Sequence, residues 1–215
     1  SGLLFAVVRN GTIGEFRRQF DKGGRADSVF FGPEQISIHS VTADQRTGIG
    51  VVIEGSAFDI VAVNLEGPAK FDTLMATRYS EGWPALSPDN RWLAYQSDES
   101  GRMEVYMRAW PSLGSKVQVS QNGGTEPTWS RDGKELFYRS GGGTEPKMAA
   151  AVVVDGRVQS RTELFSVGRY EFSTPHRNFD VFPDGRSFAM VRQGMPGQQA
   201  EVVYLQNLPG LMERR

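Results

Sequence analysis

Trp83-Pro84-Ala85-Leu86-Ser87-Pro88-Asp89-Asn90-Arg91-Trp92-Leu93-Ala94-Tyr95 reads as a short strand, a tight turn carrying an aspartate, and an apolar return strand. The same order recurs in Glu126-Pro127-Thr128-Trp129-Ser130-Arg131-Asp132-Gly133-Lys134-Glu135-Leu136-Phe137-Tyr138. It recurs again in Asn178-Phe179-Asp180-Val181-Phe182-Pro183-Asp184-Gly185-Arg186-Ser187-Phe188-Ala189-Met190. A degenerate copy, Ile38 to Arg46, leads into Ile49-Gly50-Val51-Val52-Ile53. The turn aspartates Asp44, Asp89, Asp132 and Asp184 lie 45, 43 and 52 residues apart. An aspartate in such a turn accepts a bond from the backbone two residues on, and the Gly or Asn that follows tolerates positive φ. The first copy has Thr42-Ala43-Asp44-Gln45 in place of Ser-Pro-Asp-Gly, which weakens its turn chemistry.

The return strands Trp92-Leu93-Ala94-Tyr95 and Leu136-Phe137-Tyr138 are apolar on both faces. Sheets sandwiched between neighbouring sheets have that property, whereas strict alternation marks a sheet with one wet face. Third strands are expected at Phe58–Leu65, Glu104–Trp110, Met148–Val154 and Glu201–Gln206. Fourth strands are expected at Lys70–Met75, Lys116–Ser120 and Thr162–Phe165. Ahead of them, Leu3–Arg9, Glu15–Phe20 and Asp27–Phe31 read as three more strands. The pattern predicts an all-β chain: one β-propeller domain, 1–215, of four-stranded antiparallel blades. About five blades are expected, over residues 1–33, 34–78, 79–121, 122–167 and 168–215, with both terminal blades incomplete. Unpaired terminal strands imply either a fragment of a longer array or an atypical closure, and they offer a route to self-association.

Composition narrows the function classes. The 215 residues carry 24 basic and 25 acidic side chains, a formal net charge of −1, without a run of like charge. General electrostatic affinity for nucleic acid or anionic lipid needs a basic excess or patch, so neither is expected as a partner. The absence of cysteine removes disulfides, thiolate metal sites and cysteine nucleophiles. No apolar run approaches the roughly 18 residues that a membrane-spanning helix needs. The first residues, Ser1 to Val8, lack the basic region and cleavage site of a signal peptide. Helical periodicity is scarce, with one turn-like candidate at Leu208–Met212.

Glu81 to Arg102 and Gly123 to Ser140 each resemble a TolB-like, WD-type propeller repeat. Together with Phe179–Met190 and the closing Val202-Val203-Tyr204-Leu205-Gln206-Asn207, their order resembles the C-terminal sensor propeller of bacterial serine/threonine protein kinases. Good matches span residues 80–207, and the first 80 residues fit weakly. The resemblance implies a propeller and a binding role, outside the cytoplasmic membrane (periplasmic or cell surface) in bacteria. The residues themselves leave a cytoplasmic placement open. The kinase signatures are absent: there is no nucleotide-binding Gly-rich loop with a strand lysine, no H-R-D and no D-F-G. The chain is therefore expected to be a receiver and not a catalyst.

The reactive side chains give the same expectation. No G-x-S-x-G occurs, and His39 and His176 are the only histidines. They lie 137 residues apart without ligand-spaced neighbours, so they read as surface or loop residues and no metal or cofactor is expected. The alternative enzymatic reading, a propeller lyase or hydrolase, would need a channel metal on these histidines and nearby carboxylates. A third reading is a purely structural assembly module. The four turn aspartates recur at one position and read as turn formers. Trp92, Trp129, Phe137 and Tyr138 read as packing between blades, and Gly141-Gly142-Gly143-Thr144 as a hairpin connection. Aligning the turn aspartates places His39, Trp83, Glu126 and the Thr174–Asn178 segment at equivalent positions leading into the first strand of each blade. That mixed set, taken as His39, Trp83, Glu126, His176, Arg177 and Asn178, is the expected binding face for a protein or small-molecule ligand.

Overall fold

The computed structural model describes residues 2–9, 12–19, 27–31, 35–55, 57–66, 70–141, 145–172, 177–192 and 201–205. Among these residues every regular element is a strand, and no helix is long and apolar enough to cross a membrane. The Leu208–Met212 turn and residues 142–144 of the glycine-rich loop lie outside the described residues.

Among the described residues eighteen strands form five antiparallel sheets, each in simple up-and-down order. The first sheet is β1 (Gly2–Arg9), β2 (Thr12–Gln19) and β3 (Asp27–Phe31). Next come β4 (Gln35–Val41), β5 (Thr47–Glu54), β6 (Ala57–Asn64) and β7 (Phe71–Met75). The third sheet has β8 (Glu81–Leu86), β9 (Trp92–Ser97), β10 (Glu104–Ala109) and β11 (Lys116–Gln118). The fourth has β12 (Gly124–Trp129), β13 (Glu135–Ser140), β14 (Lys147–Val154) and β15 (Arg157–Ser166). The last holds β16 (Phe179–Val181), β17 (Phe188–Arg192) and β18 (Glu201–Leu205). The chain divides into two compact units, Ser1–Pro84 and Ala85–Arg215, with the boundary inside β8.

The aspartate turn sits between the first and second strands of four sheets, those beginning with β4, β8, β12 and β16. The β1–β2–β3 sheet lacks it: Arg9 pairs with Thr12 across a two-residue connection that contains no aspartate. The expectation of about five blades is accordingly corrected to four, each carrying the defining turn. The sequence holds five groups of strands, but the β1–β2–β3 group lacks the turn that defines a blade here.

The turns obey one hydrogen-bonding scheme. Asp89 Oδ1 accepts from the Ser87 hydroxyl at 2.6 Å and the Arg91 N–H at 3.1 Å, while Ser87 Oγ accepts from the Trp92 N–H at 2.9 Å. Ser130, Asp132, Lys134 and Glu135 repeat these bonds at 2.7, 3.1 and 2.9 Å. Phe182 stands where the fourth copy would have its serine, and there Ser187 supplies the hydroxyl from the other side, 2.7 Å from Asp184 Oδ2. Bonds to the charged form favour that form. The Thr42 hydroxyl and Arg46 amide hold Asp44 below the ordinary carboxylate range, as the Arg186 amide and Ser187 hydroxyl do for Asp184. At Asp89 and Asp132 partial burial opposes ionisation, but the serine hydroxyl and following amide outweigh it and these carboxyls are lowered too. These aspartates are turn formers.

The degenerate turn keeps the scheme through Thr42, whose hydroxyl donates to Asp44 at 2.6 Å. Its weakness is Gln45, held at φ 59° where Gly133 and Gly185 stand at 70° and 64°. A non-glycine residue pays about 1–2 kcal/mol in the left-handed region, and glycine returns part of that as entropy in the unfolded chain. Gln45→Gly is therefore expected to raise stability by about 0.5–1 kcal/mol, read as a higher urea midpoint at unchanged slope.

Each unit has its own core. In the first, Ile36, Val52, Val61, Val63 and Leu65 pack together, joined by Ile38, Val41 and Phe71. In the second, β13 explains why an unbroken apolar run was needed. Leu136 and Tyr138 pack with Ala85, Ala94, Met107 and Trp129 on one side, while Phe137, between them in sequence, packs with Met148, Phe179 and Phe188 on the other. Successive side chains of a strand point to opposite faces, so a strand covered on both sides must be apolar throughout. The Trp129 indole N–H donates to the Ala85 carbonyl at 3.1 Å, giving its polar edge a partner inside the core.

Candidate binding site

Three of the aligned lead-in positions share an irregular backbone. Register shifts fall between Ile38 and Ser40 in β4, around His39, and between Thr125 and Thr128 in β12, around Glu126. Trp83 and Glu126 both adopt positive φ, 49° and 53°, and both precede proline. Proline has no N–H to offer a ladder, so it belongs at a bulge, and a bulge re-aims the neighbouring side chain. Bulky residues at positive φ cost roughly 1–3 kcal/mol and persist only where surroundings hold them.

In the first unit the bulge brings His39 and Trp83 together, with ring centroids 6.3 Å apart at 68°. Phe58 lies against the same indole at 5.3 Å. Trp83 is only 3 % exposed, so it is a packed wall rather than an open contact surface. Its indole N–H is buried without a hydrogen-bond partner among the described residues.

In the second unit the bulge drives a carboxylate inward. Glu126 is fully buried, and its Oε2 forms an ion pair with Nε of Arg139, itself buried. Glu126 Oε1 accepts from the Asn178 backbone N–H at 3.2 Å and from its side-chain amide at 3.4 Å. The Glu126 N–H, freed from the ladder by the bulge, donates to Gln96 Oε1 at 3.0 Å. The Arg139 guanidinium lies 5.9 Å from the ring centroids of Phe172 and Phe179. Burial pushes the Glu126 carboxyl above its ordinary range, against the opposing pull of Arg139 and Asn178. Arg177 adds a second guanidinium whose Nε is buried. Burial presses its proton affinity below the usual guanidinium value, with Asp180 and Glu126 acting the other way.

Of the six residues expected from sequence, His39 and Trp83 meet in one unit, and Glu126, Arg177 and Asn178 gather in the other. His176 lies outside the described residues. Two residues of the cluster lie outside the expected six: Gln96 and Arg139. Each stands seven residues after its turn aspartate, where the outer copies have Val51 and Val191. A polar residue at that one position of an otherwise apolar return strand was the available signal.

Other charged features have local structural roles. Glu104 is fully buried, but it accepts from the Ser120 hydroxyl, the Gly123 N–H at 2.9 Å and Arg102 Nε at 2.8 Å, which pins the 120–123 loop. A cleft of about 500 Å³ runs between the Asp132 and Asp184 turns, lined by opposed charges such as Lys134 and Glu135. Among the described residues no three His, Cys, Asp or Glu side chains converge as a metal site would require.

No protein-family model matches the chain, and no curated protein sequence matches it. Solved structures do. TolB from Acinetobacter baumannii superposes with a TM-score of 0.73 at 13% identity, over 95% of this chain and 49% of that one. A putative TolB from Agrobacterium tumefaciens gives 0.60 at 18% identity, over 76% and 62%. An oligogalacturonate lyase in complex with manganese gives 0.62 at 15% identity, over 92% and 54%. The fold is that of a TolB-like β-propeller. At these identities the likeness concerns the fold alone, and the chain spans about half to three-fifths of the length of these relatives.

Proposed function

We propose that this chain is a non-catalytic binding module, the sensing or interaction part of a signalling protein such as a bacterial serine/threonine kinase. We place it outside the cytoplasmic membrane. One observation carries the binding reading. Aligned lead-in positions of adjacent blades, Glu126 and Asn178, are joined by hydrogen bonds, on backbone that a bulge and a left-handed pre-proline residue hold in place. Strained, buried and charged positions of this kind are costly for stability alone, and they concentrate where proteins bind or switch. The TolB likeness supports a binding role through the fold. The kinase link rests on the resemblance of residues 80–207 alone.

A thermal-shift screen of amino acids, sugars and short peptides tests this reading in the wild type and in Glu126→Gln and Asn178→Ala. A ligand that raises the melting temperature of the wild type is expected to lose at least half of that shift in both variants. Equal shifts in all three proteins would remove the site. The enzymatic alternative gains its support from the manganese-bound lyase among the fold relatives. Elemental analysis separates the two readings, since stoichiometric metal in the purified protein would favour the lyase.

A further inference from the structure

The Glu126 cluster contains one more buried guanidinium donor than its carboxylate binds. Both oxygens of Glu126 are engaged, Oε2 by Arg139 and Oε1 by Asn178. Arg139 completes its own bonding with the Glu171 carbonyl. Arg177 is left over. Its Nε–H is buried with no hydrogen-bond partner among the described residues, yet the residue as a whole is partly exposed, so part of it can be reached from solvent. Asp180, which is exposed, acts on Arg177 through space without a direct bond, and its own Oδ1 accepts from the Val181 N–H at 2.8 Å. A buried guanidinium donor with nothing to bind is a standing cost, and an incoming acceptor removes it.

We infer that Arg177 anchors a ligand carboxylate, so that this site takes an organic monocarboxylate with an apolar body. The inference rests on reading the cluster as a ligand site. Charge balance and shape select the class. Arg177 lacks a hydrogen-bond acceptor for its Nε–H, while Asp180 and Glu126 already act on its charge through space. A single carboxylate therefore suits the site better than a phosphate dianion, which would bring twice the negative charge into a partly buried place. The planar fork of arginine fits a carboxylate through paired N–H bonds. Phe172, 49 % exposed and set against the Arg139 guanidinium, supplies an apolar ledge beside that group for the rest of the ligand.

The test is an NMR titration of the arginine Nε–Hε resonances of the whole chain with sodium benzoate. Benzamide and inorganic phosphate, at matched ionic strength, serve as comparisons. Benzoate is expected to shift the Arg177 resonance saturably, benzamide to leave it in place, and phosphate to bind more weakly than benzoate. Arg177→Gln is expected to abolish the site while melting no lower than the wild type, because it removes a buried donor that has no hydrogen-bond partner among the described residues. Should that variant fail to fold, Arg177→Lys keeps the charge without the fork and is expected to weaken benzoate binding about tenfold or more. Absence of saturable binding, binding unchanged in the Arg177 variants, or tighter binding of phosphate would each overturn the assignment. If benzoate fails while the screen still yields ligands sensitive to Glu126→Gln and Asn178→Ala, the binding site stands and only its carboxylate chemistry falls.

Discussion

Glu126→Ala is expected to destabilise the unit Ala85–Arg215 by about 3–5 kcal/mol, because it strands Arg139 as an uncompensated buried charge. The side chains are 0 % and 5 % exposed, so water cannot take the place of the carboxylate. The loss also leaves the Asn178 amide without its acceptor. Replacing both partners, as in Glu126→Leu with Arg139→Met, is expected to recover most of the stability, since a buried ion pair exchanged for apolar groups of similar size is often neutral. Urea denaturation of the two single variants and the double variant measures this directly. The coupling energy of the cycle is expected to be large and favourable to the pair.

The pair also leaves a mark on the pH dependence. The raised Glu126 carboxyl means that the folded state holds a proton more tightly there than the unfolded chain does. Its contribution to stability is present below the unfolded value, about 4.3, and is lost as pH rises through the folded value. The four turn aspartates act in the opposite direction. Their folded values are depressed, so their contribution is present above about 3.9 and is lost as pH falls through the folded values. Glu126→Gln is expected to flatten the slope above the unfolded glutamate value and to leave the acid limb unchanged.

Phe188→Ala is expected to cost about 3–5 kcal/mol, in the range of large-to-small substitutions that open a cavity in a closed core. Phe188 is completely buried and meets Phe137 edge-on at 5.2 Å and Phe165 at 5.4 Å. It thus joins the β16–β18 sheet to the β12–β15 sheet through two edge-to-face contacts, each adding about 0.5–1.5 kcal/mol beyond the area buried. Phe188→Leu keeps most of the volume and is expected to lose roughly a third as much. Calorimetry of the two variants would show a graded fall in melting temperature, and equal melting for Phe188→Ala and the wild type would contradict this packing.

The strands were legible because each blade announces itself twice, through the aspartate turn and through the apolar return strand that follows. The expected third strand Met148–Val154 is Lys147–Val154, and Phe58–Leu65 is Ala57–Asn64. The blade count was not legible, because strands β1 to β3 read as strands joined by ordinary turn residues such as Asn10-Gly11, without a copy of the Ser-Pro-Asp-Gly turn that marks the other blades. The polar cluster at the candidate site was half legible. Aligning the turns found Glu126 and Asn178, and their hydrogen bond follows from adjacent blades presenting equivalent positions to one another. That Trp83 would be buried did not follow from its position, since pattern alone does not say which way a bulge aims a side chain. Arg139 was hidden for a related reason. It sits in a strand facing two packed layers, where an arginine is tolerated only because the bulge opposite supplies a carboxylate.

Amide hydrogen exchange at Glu126 and Asn178, followed by NMR, tests most directly the claim that the lead-in positions of adjacent blades form one built polar site. Their N–H groups donate to side chains, Gln96 and Glu126 respectively, and not to a strand ladder. Both amides are expected to exchange slowly in the wild type, and Glu126→Gln, with its neutral acceptor, is expected to speed exchange at Asn178. Exchange of both amides at the rate of a free peptide would contradict the account.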